Sequence, residues 1–525
     1  MAEPDQRGLD RWLVALLVLG ALLIFWDLGG RDLWEDEAHT ALLARSILAR
    51  GLPYAFDGLN WVTVEAGRDL GPNHLWRWSP WLQFYAAAAA MKILGPANWV
   101  CRLPFALAGL LCIPLTYFLA LRLWASRQAA RWSAAVLVTS VPFLLHARQA
   151  RWYALAYLFV TGMLLALPGL ERGNKRAAAL WSLCAVLLFY TNHLVAMGLL
   201  AAFAVAACGV AFPRAAWRSC AWAMAAVAIL TLPGAVYHGM LPQKGGVSGG
   251  FMPQLSFYTG AFLSFILPLP MLLLAGWQAW RPGSGEKGRW ARFLLALSAT
   301  YILILSVGPW EMFRYLSVLL PVAAVLSGLV LDTLWQRRPL AAAAVFLLLA
   351  GTDVLHSIPM QQLEAPGTKL ADRFPALGPV RFPLVGYLYE LTHRLPSCDR
   401  PLREYLRAQA RPQDVVIASY GDFPLQYYTG LKVIGCMQGV PLAPDPDWIV
   451  LRSQVISLRR GGDYDVVRYV LAGGVDRSRY EKVDLACPDL MLANSAEPAH
   501  HLFRAPPGAK SLELLRRIRQ RATAP

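Results

Sequence analysis

The stretch RWLVALLVLGALLIFWDLGGRDLWEDEAHTALLARSILARG, residues 11–51, holds two unlike patterns a few residues apart. From Trp12 to Trp26 there is no charge, in a run that follows a short polar start carrying Arg7 and Arg11 and leads to no small-residue cleavage site. It reads as a retained signal anchor rather than a removed leader. Glu35, Asp36 and Glu37 then open a second pattern, a helix expected from near Asp36 to Arg50 and ended by Gly51 and Pro53. A carboxylate in a first helical turn gains a few tenths to about 1 kcal/mol from the positive helix end. That accounts for one acid better than for three, because no Lys or Arg stands at i+3 or i+4 to any of them.

The rest of the chain extends the first pattern. Its 525 residues are 57% hydrophobic, with a mean hydropathy of +0.41, which is more apolar surface than a soluble globule buries. Uncharged runs follow at 103–121, 132–147, 152–170, 177–213, 219–237, 251–280, 293–310, 316–331 and 339–352. Residues 177–213 are basic at both flanks and long enough for two helices turning near Thr191-Asn192-His193. The sum is about eleven spans. The basic loops LRLWASRQAAR, ERGNKR, PRAAWR, RPGSGEKGRWAR and QRRP then share one side, the cytoplasmic one. The net charge of +16 is thereby assigned to topology rather than to nucleic acid.

The other face receives residues 28–100, HARQAR, GMLPQKGGVSGGF, PWEMFR and everything after about residue 355. Within the first loop, SPWLQFYAAAAAMKILGP is placed as a helix along the membrane surface, with Trp81, Phe84 and Tyr85 at the interface. The expected division is a transmembrane domain over 1–355, a linker over 356–395 and an extracytoplasmic α/β domain over 396–525. In that last part DVVIAS, LKVIG, DWIVL and DVVRYVLA read as strands and RPLREYLRAQA as a helix. KSLELLRRIRQRA reads as a basic amphipathic helix, either resting on anionic headgroups or solvated. Cys101, Cys112, Cys184, Cys208 and Cys220 fall in or beside apolar runs, whereas Cys398, Cys436 and Cys487 permit one disulfide whose pairing the sequence leaves open.

Facing the three acids on the expected outer side are Arg68, His74 and Arg77, then His146, Arg148, Arg151 and Tyr153, then His193 and Arg314-Tyr315. Cations are few on that face by topology rules, and a guanidinium fork suits phosphate oxygens. An acid that takes a proton from an incoming nucleophile, opposite arginines that stabilise a departing lipid phosphate, describes group transfer.

The DE pair after the first span, WSPWLQFY at 78–85, RLPFALAGLL at 102–111, ARQARWYALAYLF at 147–159, FYTNHL at 189–194 and FRYLSVLLP at 313–321 together resemble the GT-C membrane glycosyltransferases. More narrowly they resemble the protein mannosyltransferase-like family, which includes the bacterial transferase adding aminoarabinose to lipid A. The resemblance covers residues 1 to about 355. It implies a polytopic α-helical membrane enzyme that takes a sugar from a polyprenyl monophosphate donor and gives it to a glycan, lipid or protein acceptor at the outer face of a bacterial cytoplasmic membrane. It maps the catalytic base to Asp36, with Glu37 beside it, and phosphate binding to Arg77, Arg148, Arg151 and Arg314. His74, Tyr153, His193 and Tyr315 are mapped to the substrate cavity. Many relatives carry a second acid where this chain reads RQARWYA, so neither a two-acid metal site nor a required cofactor is expected. A single base implies inversion; retention needs a second facing acid, for which Glu65 or Asp69 would have to fold back. Two other readings share the hydropathy, a transporter or flippase of lipid-linked sugars and an oligosaccharyltransferase using a diphosphate carrier.

Overall fold

In the computed structural model, residues 10–210, 212–239, 250–308, 311–356, 380–435, 438–443, 445–453, 466–491 and 495–519 are described. They form two compact units that do not follow chain order: one comprises 1–28, 103–392 and 496–499, the other 29–102, 393–495 and 500–525. The loop expected to belong with the transmembrane domain thus folds with the carboxyl-terminal third instead.

The first unit is helical. It contains α1 (Arg11–Phe25), most of α4 (Asn98–Trp124), α5 (Arg127–Thr139), α6 (Val141–Ala147), α7 (Tyr153–Glu171), α8 (Lys175–Thr191), α9 (His193–Gly209) and α10 (Arg214–His238). Then come α11 (Phe251–Phe265), α12 (Leu269–Trp280), α13 (Gly285–Val307), α14 (Phe313–Leu316), α15 (Leu320–Arg337), α16 (Pro339–Gly351) and α17 (Pro383–Thr392). Among the described residues five helices are long and apolar enough to cross a membrane, or six if the pair α11 and α12, bent by 91°, is one span. Trp222, Ile229 and Val236 on α10 are exposed apolar side chains, as a lipid-facing helix requires. The chain is a multi-pass membrane protein.

Breaks in the apolar runs have local causes. Asn192 ends α8 by donating its amide to the Leu188 carbonyl (2.8 Å) and starts α9 by accepting from the amides of Leu194 and Val195 on Oδ1. The turn falls where the flanking charges predict it. The run 132–147 is split at Ser140, with Pro142 just inside α6, because proline is tolerated in a first turn but not in a helix interior.

The second unit joins α2 (Glu35–Arg50) and α3 (Leu82–Leu94) to a mixed sheet. Gly51 ends α2 with φ +79°, a left-handed backbone that glycine adopts without a Cβ clash. The strands are β1 (Val415–Ala418), β2 (Lys432–Gly435), β3 (Trp448–Leu451), β4 (Tyr480–Val483) and β5 (Glu513–Arg517), in the order β2-β1-β3-β5-β4. β1 is parallel to β2 and β3, whereas β5 is antiparallel to β3 and β4. One face packs Val416, Val450 and Leu514 against α18 (Asp399–Gln409), and the other packs Ile417, Ile449 and Leu515 against α20 (Val466–Leu471). Between β1 and β2 lies α19 (Asp422–Thr429). Cys398 and Cys487 form a disulfide; Cys436 lies outside the described residues.

Two segments differ from the sequence expectation. DVVRYVLA forms α20 rather than a strand, with Val466 and Val470, at i and i+4, buried on one side. Within KSLELLRRIRQRA, described as far as Arg519, Glu513–Arg517 forms strand β5 rather than an amphipathic helix: Leu512 and Leu514 enter one core and Leu515 the other. A strand buried on both faces loses the alternation that marks a one-sided strand.

Candidate active site

The predicted site residues are distributed over both units. Asp36, Glu37, His74 and Arg77 belong to the second, and Arg148, Arg151, Tyr153, His193, Arg314 and Tyr315 to the first.

In the second unit the three acids at the start of α2 have three different environments. Glu37 is fully buried and receives both Nε (2.7 Å) and Nη2 (2.6 Å) of Arg102. The same guanidinium donates to the carbonyls of Arg31 and Asp32, so Arg102 ties the entry of α2 to the preceding segment. Bidentate geometry of this kind is the strong form of the carboxylate–guanidinium pair. Glu37, expected beside the base as a catalytic group, forms a buried ion pair with Arg102. Glu35 is also buried, and its carboxyl lies within hydrogen-bonding reach of Asp422, the first residue of α19. Burial pushes the Glu35 carboxyl well above its ordinary value, and the neighbouring Asp422 and Asp36 charges push the same way. Asp36 alone of the three is partly exposed.

Cross-links from α19 hold this helix start in place. The Tyr428 hydroxyl accepts from the Leu33 amide (2.7 Å) and donates to Asn98 Oδ1 (2.8 Å). Arg403 of α18 pairs with Asp32 at 2.8 Å. Arg45 donates to the Tyr427 carbonyl and lies 3.7 Å over the ring of that tyrosine. Further along the loop, Asn60 exchanges hydrogen bonds with Leu431 and Val433 at the edge of β2, each 2.8 Å. These bonds are why residues 29–102 fold with the carboxyl-terminal third.

His74 is exposed, with φ +62°, and its ring meets Trp61 edge-on at 4.7 Å. The Arg77 amide donates to Asp69. Asp69 itself turns inward, accepting from the Thr63 hydroxyl and the Val64 amide, and burial raises its carboxyl above the ordinary value. Glu65 pairs with Arg68 at 3.6 Å. A pocket of about 230 Å³ lies against β2, lined by Phe56, Trp61, Lys432, Val433 and Val440 among others.

In the first unit the Arg148 guanidinium donates to the carbonyls of Leu23, Ile24, Trp26 and Asp27. It serves the carbonyl end of α1, a role the sequence reading had not assigned. Tyr153 and His146 are buried with rings 4.7 Å apart. His193 is buried and stacks on His238 at 6.0 Å. Tyr315 stacks on Trp152 at 5.8 Å, and its carbonyl accepts from the Tyr301 hydroxyl. The Arg314 amide donates to Glu497. Arg151 follows Arg148 in the α6–α7 turn, half-buried. Among the described residues no group of three or more His, Cys, Asp or Glu is gathered as a metal site.

Sequence reading missed Arg102 and Asp422, and named Glu35 among the three acids without giving it a role. Arg102 had a signal, being a lone cation at the threshold of an uncharged run. Asp422 had none.

No family model matches the chain, and no curated protein matches it in sequence. Among solved structures it is similar to the aminoarabinose transferase ArnT from Cupriavidus metallidurans bound to undecaprenyl phosphate, with a TM-score of 0.55 and 16% identity over 81% of this chain and 85% of that one. It is also similar to the oligosaccharyltransferase AglB from Archaeoglobus fulgidus in complex with an inhibitory peptide and a dolichol-phosphate, with a TM-score of 0.51 and 14% identity over 84% of this chain and 68% of that one. Both have the GT-C fold, and so does this chain.

Proposed function

We propose that the chain is a membrane glycosyltransferase that moves a sugar from a polyprenyl monophosphate to a glycan, lipid or protein acceptor. The observation that carries this reading is the difference in burial among three successive acids: Glu35 and Glu37 are buried, Glu37 against Arg102, while Asp36 between them is partly exposed at a helix start braced from several directions. Lipid phosphates bound to ArnT and AglB, which share its fold, support the choice of donor.

In the reaction the Asp36 carboxylate takes the proton of the acceptor hydroxyl or amine. The freed lone pair attacks the anomeric carbon, the bond from that carbon to the phosphate oxygen breaks, and its electrons remain on the polyprenyl phosphate. Arg77, Arg151 and Arg314 are the cations assigned to that developing charge. Arg148 joins them if a donor phosphate displaces the α1 carbonyls it now serves. One base gives inversion, and the mechanism calls on no metal. The topology that goes with it has about eleven spans, Asp36 and the sheet outside, and the basic loops in the cytoplasm.

A transporter would favour discontinuous helices near mid-membrane, and α11 and α12 are bent relative to each other. Neither arm carries an Asp, Glu, Lys, Arg or His, whereas transport sites place ionisable groups there. Reconstituted protein given a polyprenyl-phosphate sugar and membrane acceptors separates the two readings. Transfer releases free polyprenyl phosphate; transport moves the intact donor between leaflets and releases none.

A further inference from the structure

Glu35 and Asp422 come from distant parts of the chain, one opening α2 and the other opening α19, and both are buried, at 2% and 0% exposure. Asp422 Oδ2 accepts from the Gln438 amide. No donor among the described residues reaches either Glu35 oxygen or Asp422 Oδ1. The two carboxyls lie within hydrogen-bonding reach of each other, and two carboxylates so placed out of water, with no donor between them, repel each other and forfeit hydration as well. A single proton removes both costs by making one carboxyl the donor and the other the acceptor.

We propose that Glu35 and Asp422 share one proton, and that this hydrogen-bonded acid pair is a positioning device that fixes the first turn of α2, and with it Asp36, against α19. The inference rests on the reading of Asp36 as the base, but the pair itself stands on geometry. Room for it is built in: a Cβ at Gly435 would overlap the Asp422 carboxyl, so glycine at the end of β2 is what lets the acid lie there. The charges facing the pair are Asp36 on its own helix and Arg452 after β3. Arg452 is spent on Asp399 and Asp489, each at 2.9 Å, so it leaves the pair without a full counter-charge. Burial raises the Asp422 carboxyl as it does that of Glu35. Acids raised in the fold bind more protons folded than unfolded. Their stabilisation is complete below the ordinary carboxyl range near pH 4 and is lost as pH rises through the raised folded value. Deprotonation would set two anions against each other and loosen α2 from α19.

Three readouts on the full chain in detergent test this. Infrared spectra at neutral pH should show a protonated carboxyl band that disappears in both Glu35→Gln and Asp422→Asn; a band unchanged in both overturns the proposal. The melting temperature of the wild type should fall relative to Glu35→Gln as pH rises above the ordinary carboxyl range, because the amide donates without titrating; parallel curves overturn it. If magnesium or manganese raises the wild-type melting temperature and leaves Glu35→Gln unmoved, the pair is a cation site and the proposal is wrong. For positioning, Glu35→Ala should lower kcat roughly 10- to 100-fold with little change in KM, and Glu35→Gln should recover most of that loss; an alanine variant at wild-type kcat contradicts it. Should no sugar transfer be found with any donor, the proposed function fails while the infrared and melting results still decide the pair.

Discussion

Arg102 and Arg148 each sit at a helix end, one in each unit, and they solve opposite problems. Arg102 meets the amino end of α2, where three acids have gathered, and neutralises Glu37 with two hydrogen bonds while bracing two carbonyls. Arg148 meets the carbonyl end of α1, where it takes backbone oxygens rather than a carboxylate, those of Leu23 and Ile24 in the last turn and of Trp26 and Asp27 just beyond it. In the first case the cation completes a buried charge pair beside Asp36, which is partly exposed. In the second, a cation assigned from sequence to a lipid phosphate is already bound to protein. An arginine near a proposed anion site is therefore informative only once its resting partners are known.

The largest expected effect is at Arg102. Replacing it with Leu strands a buried Glu37 carboxylate and should cost about 3–5 kcal/mol of unfolding free energy, seen as a large drop in melting temperature. The double variant Glu37→Leu with Arg102→Leu should recover most of it. Recovery of nothing would mean that Arg102 acts mainly through the carbonyls of Arg31 and Asp32. Losing the disulfide by Cys398→Ser should cost about 2–4 kcal/mol, read from the same melts with and without reductant, and equal melts would remove its structural role. Arg148→Ala forfeits favourable contacts at the end of α1 but strands no buried charge, so its cost should be at most about 2 kcal/mol; a loss matching that of Arg102→Leu would erase the contrast drawn above. Asn192→Ala, at the turn between α8 and α9, should cost about 1 kcal/mol through one lost cap.

What could be read from sequence follows the range of the interaction. The α2 helix was expected from Asp36 to Arg50 and runs Glu35–Arg50, because its acids, its apolar face and Gly51 are all local signals. The turn at Asn192 was equally local. In and beside β5 the residues Leu512, Leu515 and Ile518 mimic a helical stripe at three-residue spacing, although Glu513–Arg517 is held as a strand between two cores. The grouping of 29–102 with the carboxyl-terminal third depends on Asn60, Tyr428 and Arg403, whose partners are hundreds of residues away or across a loop with no periodicity. The site was legible to the same degree. Asp36 stood out by position, but the groups that its neighbours Glu35 and Glu37 meet, Asp422 and Arg102, lie far along the chain.

The central claim is that Asp36 is the base. Single-turnover release of polyprenyl phosphate from a polyprenyl-phosphate sugar, in vesicles holding acceptor-rich membrane extract, compares wild type with Asp36→Asn directly. The account predicts release at least about 100-fold slower in the variant at an unchanged melting temperature. Release at the wild-type rate from a folded Asp36→Asn protein would contradict it.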